Sequence, residues 1–417
     1  MKWLQMSIAA SMIAVVSCSD STKPVDPASV ATLSLTPAAT PIVKGTQKQL
    51  TLSARDSTGN EVHVNALWTS NSPSVVTVSK DGLVTALGYG SAMIEASAGT
   101  HWAIANVVVT APMSRSYSVL DLGVSLQVGS IIRKLSDSGD VVAGSYYRRG
   151  VATAIPGCPT PVTINGPGHV LCRTGVPDSV SSFAIWHNGA LVPLTTVDTF
   201  KAGDFRAFAM SDSDEVAGMF WRPSFVNANC PASGDRCLAI WKNGSVSFPG
   251  YTAATADAML MNNRGQVVLE QAMWAPSSPG LTSTIFNVTT GSRTNAEWGI
   301  HALNDNGWAA IQLPYVQPGD PSTSGSRADV MTPTYTMGLG NGGATGINNS
   351  NVVVGTLDVG AFIWRGDAIA MLTDAATDRT WTITAANEIN NRGQILATAD
   401  NSDGRKGHTV ILTPTQP

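Results

Sequence analysis

The sequence predicts an all-β chain: a β-sandwich followed by a β-propeller of six blades. Three observations predict it. Glycine (39) and proline (23) are abundant, and no stretch is rich in strong helix formers, a balance that favours many short strands and turns. Residues 30–111 alternate apolar and polar side chains between turn signals, so each strand has one inward face. Residues 116–417 carry a turn-and-strand block that recurs six times, the mark of a repeat architecture.

The chain begins with Met1-Lys2, a minimal positive region. Residues 3–16 are mostly apolar, interrupted by Gln5, Ser7 and Ser11. That length suits a signal peptide and is short for a membrane span. Val15-Val16-Ser17-Cys18 then resembles a lipobox. The resemblance implies that residues 1–17 are a lipoprotein signal peptide and that Cys18 is lipidated, which makes a membrane the first expected partner. Several acyl chains anchor stably where one would exchange. Ser19, rather than Asp, follows the cysteine; by resemblance to enteric lipoproteins this implies the outer membrane. Residues 18–29 are polar, contain Pro24 and Pro27 and lack periodicity, as a flexible tether does.

In residues 30–111 alternating apolar segments recur at Leu33-Ser34-Leu35, Gln49-Leu50-Thr51-Leu52, Val75-Val76-Thr77-Val78 and Ala92-Met93-Ile94-Glu95-Ala96. Turn signals separate them at Lys44-Gly45-Thr46, Ser57-Thr58-Gly59-Asn60, Lys80-Asp81-Gly82 and Tyr89-Gly90-Ser91. About seven strands in about 80 residues is the sandwich pattern. The run Trp68-Thr69-Ser70-Asn71-Ser72-Pro73-Ser74-Val75-Val76-Thr77-Val78, followed by Asp81-Gly82-Leu83-Val84-Thr85-Ala86 and Gly90-Ser91-Ala92-Met93-Ile94, resembles the bacterial immunoglobulin-like group 2 domain. The resemblance implies an Ig-like β-sandwich outside the cytoplasm, with Trp68 as a core anchor. Such domains often serve as spacers.

The repeat begins at Leu135, Met210, Met261, Leu303, Ile347 and Ile389, in steps of 75, 51, 42, 44 and 42 residues. Ile389-Asn390-Asn391-Arg392-Gly393-Gln394-Ile395-Leu396 shows its logic. An apolar residue ends one strand, Asn bonds its own backbone into a turn, Gly closes the turn, and an apolar strand departs. A second block follows at Phe183-Ala184-Ile185-Trp186, Leu238-Ala239-Ile240-Trp241, Gln271-Ala272-Met273-Trp274 and Ala361-Phe362-Ile363-Trp364. Four short strands in about 42 to 50 residues is a propeller blade. Val119-Leu120-Asp121-Leu122 and His408-Thr409-Val410-Ile411-Leu412 are expected to complete one blade together and close the ring. The whole region resembles the bacterial HAF extracellular repeat family, which implies a propeller-like fold and export but supplies no reaction.

A charged fraction of 13% and a net charge of −4 leave no electrostatic footprint for nucleic acid. No nucleic-acid partner is expected, and the chain is expected to be monomeric. Cys158, Cys172, Cys230 and Cys237 remain once Cys18 is set aside. No CxxC occurs and the six histidines are scattered, so two disulfides are expected rather than zinc, with three connectivities open. No metal or cofactor is expected. Gly338-Leu339-Gly340-Asn341-Gly342-Gly343 satisfies GxGxxG without a βαβ context. Arg365-Gly366-Asp367 falls where other repeats carry hairpin turns. No GxSxG, HExxH or P-loop is present, and no catalytic residue is assigned.

Long connections at residues 146–182, 222–236 and 312–327 are expected to crowd on one face, with the cysteines in or beside the first two. Stapled long loops are where ligand contacts concentrate. Tyr146, Tyr147, Arg148, Arg149 and Tyr315 are the ligand-contact candidates there. Together these features favour a non-enzymatic envelope lipoprotein, an Ig-like spacer presenting a propeller for binding or adhesion to a glycan or surface protein. An extracellular glycan-directed hydrolase or lyase with a site on the propeller face is the alternative.

Overall fold

The computed structural model describes residues 29–124, 133–175, 183–194, 205–220, 230, 236–253, 256–273, 280–296, 299–316, 324–373 and 375–415. The signal peptide, Cys18 and most of the tether lie outside the described residues.

The first unit is a sandwich of antiparallel strands. Thr32–Thr36, Thr51–Arg55 and Glu61–Val62 form one sheet; Gln47–Gln49, Leu83–Ala86 and Val76–Val78 form another. Leu67–Ser70, Gly90–Ala98 and His101–Thr110 pair as a third group, with Ala39–Val43 parallel to the last. The period-two reading holds: along Gly90–Ala98 the buried residues are Ala92, Ile94, Ala96 and Ala98. The first three share a core with Leu35, Leu50, Val76, Val84 and Val107, and Ala98 packs with Val30, Ala54 and Val64. Trp68 packs against this core, as the resemblance implies, half buried beneath the Lys80-Asp81-Gly82 turn. Gly82 is required there. Its φ is +82°, and a Cβ would lie 2.8 Å from the Trp68 ring and 2.7 Å from the Leu50 carbonyl oxygen.

The second unit corrects the blade count. Seven four-stranded antiparallel units, not six, are present among the described residues. The strands opening them are Arg133–Leu135, Thr160–Ile164, Phe205–Met210, Ala256–Met261, Gly299–Leu303, Gly342–Ile347 within a longer strand, and Trp381–Ile389. The unit that sequence periodicity passes over starts at Thr160. Its turn, Ile164-Asn165-Gly166-Pro167-Gly168-His169, keeps the first Asn but substitutes Gly and Pro after it, which hides the match. Residues 146–182 are therefore not one long connection. They hold the outer half of blade one, with strands Tyr146–Arg148 and Val151–Ala152, and the start of blade two. The Trp274 assignment also changes. Gln271-Ala272-Met273 ends the second strand of blade four, Gln266–Met273, and its third strand is Gly280–Asn287. Trp274 itself lies outside the described residues.

Blades five and six are written on one continuous strand, Thr336–Ile347. Its first half pairs with Ser324–Met331 and its second half with Val353–Leu357. The GxGxxG glycines are this passage. Gly342 has φ +141°, and a Cβ there would strike the Thr356 carbonyl oxygen at 2.1 Å. The motif lets two blades share a strand and has no nucleotide-loop geometry. Arg365-Gly366-Asp367 is likewise the turn between strands Gly360–Arg365 and Ala368–Met371.

Closure follows the expected design. Tyr117–Asp121 pairs antiparallel with His408–Pro414, with Val119 opposite Leu412 and Leu120 opposite Ile411. The N-terminal strand thus becomes the outer strand of blade seven, which otherwise comes from the C-terminus. The sandwich meets the propeller at blade six. Thr110 lies parallel to Ile369, the Ala111 N–H donates to the Ile369 carbonyl at 2.7 Å, and the Asn106 amide donates to Asp358 at 3.0 Å. Val108 is buried in the same cluster as Leu357, Phe362 and Ile369.

The open connectivity question resolves as Cys158–Cys172 and Cys230–Cys237. The first staples the connection between blades one and two to the second strand of blade two. The second ties Cys230 to the start of the third strand of blade three. All four cysteines are buried. Trp241 and Trp364 are buried between blades, and Trp186 packs 5.6 Å from the Tyr146 ring. These tryptophans fill the interior.

Candidate functional site: the channel mouth

The first hairpin of every blade points at the central axis, and its turn chemistry builds two rings. The inner ring is Ser136, Asn165, Ser211, Asn262, Asn304, Asn348 and Asn390, all buried. Each side-chain oxygen caps its own turn. The Asn348 carbonyl oxygen accepts from the Ser350 and Val352 N–H groups at 3.0 Å, and Ser136 Oγ accepts from the Asp140 N–H at 3.0 Å. Asparagine has a second group that serine lacks, and it crosses to the next blade. Asn165 donates to the Ser211 carbonyl (3.0 Å), Asn262 to Asn304 (2.9 Å), Asn304 to Asn348 (2.9 Å), Asn348 to Asn390 (3.0 Å) and Asn390 to Ser136 (2.8 Å). One residue type thus closes a turn and joins two blades.

The next residue in each turn forms the outer ring: Asp137, Gly166, Asp212, Asn263, Asp305, Asn349 and Asn391. Backbone N–H groups donate to the side chain of the following blade: Gly166 to Asp212 (2.7 Å), Asp212 to Asn263 (2.6 Å), Asn263 to Asp305 (2.8 Å), Asp305 to Asn349 (2.9 Å), Asn349 to Asn391 (2.9 Å) and Asn391 to Asp137 (2.8 Å). Gly166 has no side chain to accept, and there the Asp137 N–H donates to its carbonyl at 2.9 Å. The ring closes through all seven blades. Sequence reasoning read these Asn and Asp residues as turn formers, which they are, but their partners belong to neighbouring repeats.

Inside the collar lies a cavity of about 150 Å³. Its wall is two-sided: Lys134, Thr163 and Glu388 contribute polar groups, while Phe208, Leu260 and Ala302 are apolar. Pairing skips one residue at the same place in six of the opening strands: Val162, Phe208, Met259, His301, Thr345 and Asn387. Such bulges bend a strand and re-aim its side chains. At Thr345 the hydroxyl reaches the Ala386 carbonyl of the next blade at 2.7 Å.

Across the seam between blades seven and one, Lys134 Nζ donates to both Glu388 oxygens at 3.1 and 3.2 Å. Burial pushes the Glu388 carboxyl above its ordinary value, and the Lys134 ammonium pulls it back only in part. An acid with a raised folded pKa contributes stability that is fully present below its unfolded pKa. That contribution is lost as pH rises through the folded one. The stability of Glu388→Gln relative to the native protein should therefore increase between about pH 4 and about pH 8. Urea unfolding at both ends checks this; a flat or falling difference would show that the Lys134 pairing outweighs burial.

Of the five sequence-derived contact residues, Tyr146, Tyr147, Arg148 and Arg149 do not line the channel cavity, and the Tyr315 side chain lies outside the described residues. Tyr146 and Tyr147 are 2% and 5% exposed, which corrects their reading as surface residues. The Tyr146 hydroxyl donates to Asp140 at 3.0 Å. Its pKa is pushed up to about 12 by burial, with the Asp140 charge adding to the effect. Tyr147 packs with Leu122, Leu135, Leu396 and Ile411. Blades cover both faces of a strand, so adjacent residues are buried together and alternation no longer predicts exposure. Arg148 and Arg149 are exposed at the turn into the outer strand of blade one, Arg149 with φ 50°. Tyr315 lies on strand Ala309–Val316 opposite Gly325.

The class these features define is a disulfide-bonded, all-β extracytoplasmic or surface protein with an Ig-like module. Residues 29–106 match the family model of the bacterial Ig-like domain (group 2). Over 99 residues the chain is 33% identical to ice-binding protein 1 of Shewanella frigidimarina, a match covering 23% of this chain and 11% of that protein. The chain thus spans about a tenth of the length of that relative. Solved structures with a similar outline include the β-propeller domain of the trilobed protease from Pyrococcus furiosus (TM-score 0.36, 10% identity, 59% of this chain and 78% of that one). Domains 5–6 of the S-layer protein SbsC also match (TM-score 0.20, 15% identity, 66% and 97%). So does a Xanthomonas campestris gluconolactonase (TM-score 0.30, 9% identity, 59% and 82%).

Proposed function

We propose that the protein is a lipid-anchored envelope protein and a non-enzymatic binding or adhesion module, whose propeller presents the channel mouth to a glycan or surface-protein ligand. The observation that carries this reading is the commitment of the collar carboxylates to hydrogen bonds between blades. Asp212 and Asp305 flank one amide, Asn263 Nδ2, at 2.8 and 2.9 Å, close enough together to suggest an acid/base pair. Their other oxygens accept the N–H groups of Gly166 and Asn263. Carboxylates so engaged hold blades in register, each fixed by a collar N–H and a collar amide. A rigid polar rim around a mostly polar cavity suits recognition of a polar ligand better than hydrolase or lyase chemistry.

The Ig-like module and the two disulfides support export, and the lipobox-like Val15-Val16-Ser17-Cys18 supports the anchor. Labelling cells with a palmitate analogue, native beside Cys18→Ala, tests the anchor: label is expected on the native chain alone, and an unlabelled native chain overturns it. A glycan array and a whole-cell pull-down with the native protein and Phe208→Ala test the mouth. Retained ligand of equal affinity in the variant would place recognition elsewhere.

A further inference from the structure

The ring closes at a seam between blades seven and one, and a second cleft of about 380 Å³ opens there. Its walls come from four separate parts of the chain. Arg115 lies in the segment joining the sandwich to the clasp strand, and Ser138 on the first hairpin of blade one. Arg392 and Gln394 lie on the first hairpin of blade seven, and Thr413, Pro414 and Thr415 at the C-terminal strand.

The cleft is a positive island in an acidic chain. Among the described residues, no carboxylate lines it. Arg115 and Arg392 are both exposed, and neither side chain has an ion-pair or hydrogen-bond partner among the described residues. Two arginines elsewhere are neutralised locally, Arg327 by Asp329 and Arg405 by Asp121 and Asp403. The carboxylate nearest in sequence, Asp137, is taken up by the N–H and side-chain amide of Asn391 at 2.8 and 3.1 Å. Two unpaired guanidinium groups on one cleft raise its potential, and each offers a planar fork that fits a carboxylate.

The remaining wall carries three hydroxyl groups beside Gln394 and Pro414. Ser138 Oγ lies 2.8 Å from Ser136 Oγ; Thr413 Oγ1 accepts from Gln394 Nε2 at 3.1 Å; Thr415 Oγ1 lies 2.7 Å from Ser116 Oγ and donates to the Ser116 carbonyl at 3.0 Å. Each hydroxyl oxygen has two lone pairs, so acceptor capacity remains after these bonds. Guanidinium forks beside a row of hydroxyl acceptors suit a ligand that carries both a carboxylate and hydroxyl donors. We propose that the seam cleft binds an acidic saccharide, its carboxylate held between Arg115 and Arg392 and its hydroxyls donating to Ser138, Thr413 and Thr415.

Such a ligand ties the clasp, the last blade and the first blade together, so binding stabilises the closed ring. Calorimetry on the whole protein, with oligogalacturonate as probe, should show binding that weakens with salt and a raised melting temperature. A neutral oligoglucoside of equal length should do neither. Arg115→Gln and Arg392→Gln should each weaken oligogalacturonate binding by about tenfold, and together abolish it, with the melting temperature of the free protein unchanged. No binding of oligogalacturonate, equal binding of the neutral oligomer, or undiminished binding by the double variant would overturn the proposal. Inorganic sulfate binding as tightly as the oligomer would also overturn it, because an anion alone would then account for the site. Palmitate labelling and Phe208→Ala read different parts of the molecule, so failure here is distinguishable from failure of the anchored-module reading.

Discussion

Replacing Asn348 by alanine is expected to destabilise the protein by about 3 kcal/mol, because one truncation strips three backbone groups of their partner. The side chain is 5% exposed. Its amide satisfies the Asn390 carbonyl of blade seven, and its oxygen satisfies the Ser350 and Val352 N–H groups of its own turn. The molecule contains its own control. Ser136 and Ser211 occupy the same ring position, cap their turns, and lack the crossing donor. Asn348→Ser should therefore keep the turn and lose only the bond between blades, at about 1 kcal/mol. Urea unfolding of the native protein and both variants checks the ordering. Equal losses for serine and alanine would mean that the crossing bond dominates and the cap adds little.

The second large effect is expected at the clasp. Tyr117 is fully buried at the start of the strand that closes blade seven, among Ile363, Leu372, Ala376 and Trp381. Its N–H donates to the Ala375 carbonyl at 2.9 Å, its carbonyl accepts from the Thr377 N–H at 3.0 Å, and its hydroxyl accepts from Arg365 at 3.3 Å. Tyr117→Ala removes a ring from a packed core and should lower stability by about 3–5 kcal/mol. Tyr117→Phe keeps the ring and should retain most of that. Tyr335, 56% exposed, provides the neutral comparison, within about 0.5 kcal/mol of native on change to alanine. Thermal unfolding of the three variants decides the matter. A Tyr117→Ala protein as stable as Tyr335→Ala would mean that the clasp strand contributes nothing to closure.

Much of the fold was legible because it is written in short-range chemistry. The Asn-Asn-Arg-Gly-Gln turn at Asn390 needs only its own backbone to form, so its sequence announces it. The same holds for the alternation of Gly90–Ala98, which records one buried face. The pairing of Val119 with Leu412 was also readable, since two orphan half-blades at opposite ends have one economical way to meet. The second blade was missed for a local reason: Gly166-Pro167-Gly168 forms the turn by different residues. The exposure of two candidate residues was misread for a non-local one. Tyr146 and Tyr147 follow one another in a strand packed on both faces, and a sequence pattern does not show how many faces are covered.

What the sequence by itself determined is the all-β character, the Ig-like module, six of the seven blade turns, the even set of four cysteines and the meeting of the propeller's first and last strands. These depend on a residue's own backbone or on composition. What only the tertiary structure decided is the number of blades, the pairing Cys158–Cys172 and Cys230–Cys237, the two rings at the channel mouth and the seam that brings Arg115 beside Arg392. Each of these depends on residues tens to hundreds of positions apart, and an Asn that closes its own turn looks the same in sequence whether or not its amide also reaches the next blade.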